Sequence, residues 1–77
     1  MRTMEFSIES NGDKIAVGQT LGVKEYYSPG GYSYMLEDAL GMSGIYQFVD
    51  RIKSTSGKVI EKKKTERFNI AVLEFDE

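Results

Sequence analysis

The 77-residue chain contains no cysteine, no histidine and no tryptophan, and it has a single proline. It therefore has no imidazole for acid–base catalysis near neutral pH, no thiolate nucleophile and no nitrogen-and-sulfur zinc site. No disulfide can stabilise so small a domain, so stability must come from a compact apolar core or from a partner surface. We expect a protein that is not an enzyme and that uses no metal or cofactor.

Long hydrophobic segments are also missing. The longest apolar run, residues 70–73, is far too short to cross a bilayer, and the first residues lack the apolar stretch of a signal peptide. The absence of cysteine fits a reducing compartment. We expect one cytoplasmic domain over residues 1–77 that does not associate with a membrane.

Neither sign of charge dominates, since the formal net charge is −2. Residues 1–50 carry three basic and seven acidic side chains, whereas residues 51–67 carry seven basic and two acidic ones. A protein that coats nucleic acid is usually basic overall. The near-neutral net charge therefore disfavours a nucleic-acid coat, but the basic residues 51–67 are compatible with a local phosphate contact.

Two patterns resemble catalytic motifs but lack required residues. Residues 56–58 resemble the end of a phosphate-binding loop, but Ile52 stands where that loop needs glycine and Val59 where it needs serine or threonine. Residues 41–45 resemble a nucleophile elbow without its final glycine, and the chain has no histidine to activate Ser43. The twelve carboxylates form no calcium-loop pattern.

The strongest local signal is the pair Asn11-Gly12 between two alternating segments. Asn-Gly favours a type I′ turn, whose twist matches that of paired strands. A hairpin closed there places Phe6 opposite Val17 and gathers apolar side chains on one face. We predict a β-hairpin over residues 6–17.

The middle of the chain is less regular. Residues 23–27 have the composition of a strand, and residues 28–32, which contain the proline, predict a loop. Ser33 is a suitable N-cap for a short helix that ends at Gly41. The apolar face of this helix comprises Met35, Leu36, Ala39 and Leu40.

Residues 45–52 have two interpretations. Apolar residues at helical spacing fit a helix at 44–54, whereas the β-branched and aromatic content favours a strand. Gly41 and Gly44 weaken a helix at this point. We favour the strand, because it gives a small sheet enough members to close; an α+β roll is the alternative.

The C-terminal part predicts a second hairpin, with strands at residues 58–61 and 68–75 and a polar tip at 62–67. The last strand is apolar on both faces, which predicts a central strand covered on both sides. The pattern Gly-Lys-Val-Ile at residues 57–60, a charged tip and Val-Leu-Glu-Phe-Asp at residues 72–76 resembles a hairpin of Src-homology-3-like small barrels. That resemblance implies a mainly β, SH3-like barrel with one short helix, and it implies no activity.

Residues 25–34 hold four of the five tyrosines, interleaved with serine and glycine. Tyrosine offers a large contact area with little entropy to lose, and serine and glycine supply adaptable backbone, which is typical of a protein-binding surface. In the alternative interpretation, two or three of the rings close one end of a barrel. Four large rings exceed what so small a core absorbs easily. We predict a partner-binding surface formed by Tyr26, Tyr27, Tyr32 and Tyr34.

A basic group surrounds the predicted tip and comprises Lys58, Lys62, Lys63, Lys64 and Arg67. Such a group either contacts phosphate or an acidic protein, or keeps the tip soluble and blocks edge-to-edge strand pairing. We favour the second role, which is the ordinary use of lysine at a sheet edge.

The predicted function is a small non-enzymatic module that docks on a protein partner through the tyrosine-rich segment. An accessory or inhibitor protein of a phage or mobile element would suit this size and acidity. The alternative is contact with nucleic acid, in which the tyrosines stack on bases and the basic group holds phosphate.

Overall fold

Strands make up most of the protein, as the sequence predicts. The structure, a computed structural model, describes residues 1–9 and 11–77. The strands are β1 (Arg2–Ser7), β2 (Thr20–Ser28), β3 (Gly31–Leu36), β4 (Met42–Ser43), β5 (Ser56–Lys64) and β6 (Asn69–Phe75). Short 3-10 turns lie at Asn11–Lys14, Glu37–Ala39 and Phe48–Asp50. No helix in the described ranges has the length and apolar character needed to cross a membrane.

The six strands form a closed antiparallel ring in the order β1-β4-β3-β2-β5-β6, and β6 pairs with β1 to complete it. β6 places Leu73 opposite Met4 of β1 and opposite Val59 of β5. All three side chains are buried. The side chains of the strands that close the ring therefore also fill its interior.

Alternate side chains of the strands fill the ring, because successive residues of a strand point to opposite faces. The buried core comprises Met4, Phe6, Ile8, Ile15, Leu21, Tyr34, Leu36, Ile52, Val59, Ala71, Leu73 and Phe75. Phe6 and Phe75 lie in tilted contact with ring centroids 6.4 Å apart. Each large apolar side chain buried in this way contributes about 1.5–3 kcal/mol.

The predicted C-terminal hairpin is confirmed, with β6 as a central strand between β1 and β5. Its inner face is fully buried at Ala71, Leu73 and Phe75. Val72 on the outer face is also buried, but Phe68 precedes the strand and is exposed. The prediction of cover on both faces is therefore wrong for Phe68.

The predicted hairpin over residues 6–17 is wrong. Asn11–Lys14 forms a 3-10 turn, and among the described residues no strand follows it before β2. Both edges of β1 are already occupied, by β6 along its whole length and by β4 at Phe6 and Ser7. No edge is left for residues 14–17. Ser10, which the hairpin would include, lies outside the described residues.

The predicted short helix after Ser33 is also wrong. Gly31–Leu36 is a strand, and a 3-10 turn at Glu37–Ala39 is the helical part that follows. Pairing of β3 with β2 on one side and with β4 on the other outweighs the local capping signal. The loop predicted at residues 28–32 is reduced to the turn between β2 and β3.

Residues 45–52 form neither the strand that we favoured nor the helix of the alternative. Tyr46 makes a single bridge with Tyr32, a 3-10 turn occupies Phe48–Asp50, and Ile52 enters the core. The ring closes without a strand here, because β1 pairs directly with β4 and β6. This irregular segment instead crosses the face of the β2–β3 hairpin.

Candidate functional site

The β2–β3 hairpin separates the tyrosines that the sequence groups together. Its register places Tyr27 opposite Tyr32, and opposite residues share a face. The two rings are in contact, with centroids 5.2 Å apart. Tyr26 falls on the other face, where the Lys24 ammonium lies 5.5 Å from its ring centroid. Tyr26 therefore does not extend the surface of Tyr27 and Tyr32.

Tyr34 belongs to the core and not to a surface, which corrects its predicted role in partner binding. It is 1% exposed, because it points inward together with Leu36. Its hydroxyl donates to Glu25 Oε2 at 2.7 Å and accepts a bond from the Ile52 amide at 3.1 Å. Burial, reinforced by the bond to Glu25, raises the pKa of Tyr34.

The hairpin turn brings residues 45–52 onto the face that carries Tyr27 and Tyr32. The backbones of Tyr32 and Tyr46 exchange two hydrogen bonds, of 2.8 and 2.7 Å. Gly31 permits this approach: its φ is +135°, and a Cβ atom there would lie 2.5 Å from the Tyr46 carbonyl oxygen. Glycine at position 31 therefore sets the geometry of the site.

Two side chains from this crossing segment complete the site. The Phe48 ring lies 6.1 Å from that of Tyr32, and the Arg51 guanidinium lies 4.5 Å from the Tyr32 centroid and 5.4 Å from the Phe48 centroid. These distances are those of cation–π contacts. The group Tyr27, Tyr32, Phe48 and Arg51 is called the aromatic surface below.

Glu25 holds Arg51 in place on the aromatic surface. The Arg51 Nη2 and Nε atoms donate to the two carboxylate oxygens of Glu25 at 2.7 and 3.1 Å. This paired hydrogen bonding lowers the pKa of Glu25 and raises that of Arg51. Since Glu25 also accepts the Tyr34 hydroxyl, the exposed arginine is tied to a core residue.

The aromatic surface is exposed at Tyr27 and Phe48, whereas Tyr32 is partly buried and packs against the core; the surface continues into neighbouring apolar side chains. The exposed fractions are 75% for Tyr27, 67% for Phe48 and 86% for Val49. Ile45, near the hairpin turn, is also exposed. Clustered exposed apolar side chains mark interaction sites, and tyrosine and arginine are among the residues that most often dominate binding energy.

A cleft of about 600 Å³ adjoins the aromatic surface. Phe48 and Val49 form part of its wall, and the buried residues Tyr34 and Ile52 also line it. This volume is in the range of roughly 300–1,000 Å³ that is usual for ligand pockets. The cleft can therefore receive a side chain of a partner.

Sequence reasoning found Tyr27 and Tyr32 but missed Phe48, Val49 and Arg51. Their helical and strand patterns both suggested that the apolar residues of this segment pack inward. Against the strand, a usable signal was the adjacent pair Phe48-Val49, because successive residues of a strand point to opposite faces. In the irregular segment, both are exposed.

The predicted basic group is divided between two places. Lys62, Lys63 and Lys64 end β5, and the exposed Arg67 lies in the turn that follows. Lys58 lies near the other end of β5, opposite Glu74 of β6. The group therefore does not form one continuous basic patch.

Two lysines of the tip make contacts within the protein. The Lys63 ammonium lies 3.1 Å from the Glu5 carboxylate, and this hydrogen bond raises the pKa of Lys63. The Lys62 ammonium donates to the Gly12 carbonyl oxygen at 2.6 Å. These contacts fit a tip that stabilises the end of the ring.

Comparisons of the chain with models of protein families, with curated proteins and with solved structures found no match. The described residues contain no group of three or more acidic side chains placed to hold a metal ion.

Proposed function

We propose that this protein is a non-enzymatic binding module that docks on another protein through the aromatic surface. The observation that carries the proposal is the cluster of tilted rings formed by the exposed Tyr27 and Phe48 and the partly buried Tyr32, with Arg51 held over two of the rings by Glu25. Because these side chains are already ordered by mutual contact, binding costs little side-chain entropy.

The chemistry of the site favours a protein partner. Glu25 neutralises Arg51, so the aromatic surface attracts neither a polyanion nor a polycation strongly. The adjoining cleft offers a pocket for one anchoring side chain. Exposed aromatic and arginine side chains beside a pocket are the usual composition of a binding hot spot.

The proposal includes the finer predictions of architecture and location. We propose that the closed ring is an SH3-like small barrel, supported by the resemblance over residues 57–76 and by the antiparallel closure. We propose a cytoplasmic location, which the lack of cysteine supports. Neither the architecture nor the location identifies the partner.

Nucleic-acid binding is the weaker proposal. Its basic group is divided, and two of its lysines bond to Glu5 and to the Gly12 carbonyl. The tip lies on the β5–β6 hairpin, whereas the tyrosines in mutual contact lie on the β2–β3 hairpin. Tyrosine stacking and phosphate contact are therefore assigned to separate elements.

Affinity capture from a lysate of the source cells, followed by quantitative mass spectrometry, tests the proposal. We expect the variant Tyr27→Ser/Phe48→Ser to lose the captured partner and to keep a melting temperature close to that of the wild type, because both side chains are exposed. The control Val17→Ser/Phe68→Ser removes two exposed apolar side chains elsewhere. Equal capture by the surface variant and the control would contradict the proposal.

A further inference from the structure

β2 has an unpaired edge beside the aromatic surface. On one side it pairs with β3 along residues 23–28. On the other side it pairs with β5 only at residues 20–22, and a bond of 2.8 Å from the Val23 amide to the Thr55 carbonyl extends this ladder by one step. Beyond Val23, β2 continues to Ser28 with this edge open.

The ladder ends because Glu77 binds the chain that precedes β5. The amides of Lys53 and Ser54 each donate to Glu77 Oε2 at 2.8 Å, and the Ser54 hydroxyl donates to the same oxygen at 2.7 Å. Continued register would place Lys53 opposite Glu25 of β2. Since the Lys53 amide is bonded to Glu77, Glu25 has no paired strand residue on that side.

The open edge presents the backbone groups of Glu25 and Tyr27. In an antiparallel ladder, each residue directs its N–H and C=O to the same neighbouring strand, and successive residues alternate. Tyr32 bonds to Tyr46 on the side away from β2, so Tyr32 and Tyr27 are a non-hydrogen-bonded pair, and the same holds for Tyr34 and Glu25. Among the described residues, the backbone groups of Glu25 and Tyr27 have no hydrogen-bond partner.

We infer that the partner binds by adding an extended segment to this edge as a further strand, an inference that rests on the proposed function. An open strand edge is a template for pairing with another chain. In strand addition, backbone bonds supply affinity and neighbouring pockets supply specificity. The cleft borders Val23 and Glu25 of this edge, so a side chain of the added strand enters it.

The cleft also defines the chemistry of the added segment. Its apolar lining consists of Val23, Tyr34, Phe48, Val49 and Ile52. Its charged lining is Glu25, Arg51 and Lys53; Arg51 is paired with Glu25, and the Glu77 carboxylate lies against the Lys53 amide. The segment therefore carries an aliphatic side chain for the cleft.

A phage-displayed library of random peptides, panned on the full chain, supplies the probe. We expect the selected peptides to share an aliphatic residue, and to slow hydrogen exchange at the Glu25 and Tyr27 amides when bound. The Glu25 and Tyr27 amides are then followed by nuclear magnetic resonance in the free and bound protein.

A matched pair of variants isolates the backbone contact. Tyr27→Ala and Tyr27→Pro both remove the ring, but only proline also removes the N–H that faces the open edge, and β3 does not use that N–H. We expect Tyr27→Pro to bind the selected peptides about tenfold more weakly than Tyr27→Ala, because proline removes one backbone hydrogen bond to the peptide. Exchange measurements on the wild type decide the matter independently if Tyr27→Pro does not fold.

Four outcomes would overturn the inference. Equal binding by the two variants, with both amides still exchanging freely, rejects strand addition and leaves docking through the aromatic surface intact. Failure to select any peptide rejects strand addition. Selected peptides whose binding is unchanged by substitution of Tyr27 and of Phe48 reject both strand addition and docking by this surface. A dimer of the free chain with these amides already protected assigns the edge to a second copy.

Discussion

The pair of Glu25 and Arg51 shows how one residue contact orders a binding surface. Both side chains are partly exposed, at 29% and 38%, so solvent screening limits the contribution of the ion pair to stability. Its main effect is orientation, because it holds the guanidinium 4.5 Å from the Tyr32 ring centroid. Side chains that are ordered before binding lose less entropy when a partner docks.

The substitution Glu25→Gln tests this role through pH. The pKa of folded Glu25 is lowered, chiefly by its hydrogen bond to Arg51, from an ordinary value of 4.5. The contribution of its carboxylate to stability is therefore complete above 4.5 and disappears as the pH falls through the lowered pKa. We expect the wild type to melt slightly above Glu25→Gln at about pH 6, and the difference to vanish once the pH lies below the lowered pKa of Glu25.

Differential scanning fluorimetry across this pH range measures the two melting temperatures. The lowered pKa of Glu77 affects both proteins alike, so their difference isolates Glu25. A difference that stays constant as the pH falls would show that the Glu25 carboxylate does not carry the effect. The variant Arg51→Lys, which keeps the charge but loses the paired donors, serves as a second comparison.

At the scale of elements, the β2–β3 hairpin and the segment that crosses it form the site. Gly31 lies where the two meet: its φ of +135° and the carbonyl of Tyr46 leave no room for a side chain. We expect Gly31→Ala to destabilise the protein by about 2 kcal/mol or more. Gly44→Ala is the control, because a Cβ there meets no atom within 4 Å.

Chemical denaturation of both glycine variants measures this difference. Gly31→Ala is expected to unfold at a lower denaturant concentration with an unchanged slope, whereas Gly44→Ala is expected to match the wild type. If the two variants have equal midpoints, the close approach of residues 31 and 46 does not contribute to the fold.

The same elements show which structural signals the sequence contains. The β5–β6 hairpin was predictable, because its strands are neighbours in sequence and the apolar content of residues 68–75 indicates a central strand. The Asn11-Gly12 signal failed because pairing partners distant in sequence, β4 and β6, occupy both edges of β1. Local turn chemistry does not encode those partners.

The site was predictable in part for a related reason. Clustering of tyrosines indicated a contact surface, but only the register shows that Tyr27 and Tyr32 share a face while Tyr26 does not. Tyr34 is buried because it points inward from β3 with Leu36, and its hydroxyl bonds to Glu25 and to the Ile52 amide, which the clustering of tyrosines does not indicate. Phe48 and Arg51 join the surface through tertiary contacts that periodicity does not contain.

At the scale of the whole molecule, the closed ring separates the aromatic surface from the basic tip. Residues 1–50 and 68–77 are both acidic on balance, which opposes binding of a polyanion beyond the tip. We expect no binding of single-stranded DNA or RNA in fluorescence polarisation at about 0.15 M salt, where screening acts within roughly 8 Å.

A triple reversal serves as the control for this expectation. Micromolar binding of an oligonucleotide that is abolished by Lys62→Glu/Lys63→Glu/Lys64→Glu would make nucleic acid the leading partner. Binding that loses affinity steeply with salt would support the same conclusion, because phosphate contacts release counterions.

Site-specific photo-crosslinking tests most directly whether the aromatic surface is the docking site. Benzoylphenylalanine is placed at Phe48 in one protein and at the exposed Val17 in another, and each is irradiated in the source cells. Docking through the aromatic surface predicts a discrete protein adduct from position 48 and none from position 17. An adduct from position 17 alone, or equal adducts from both, would contradict it.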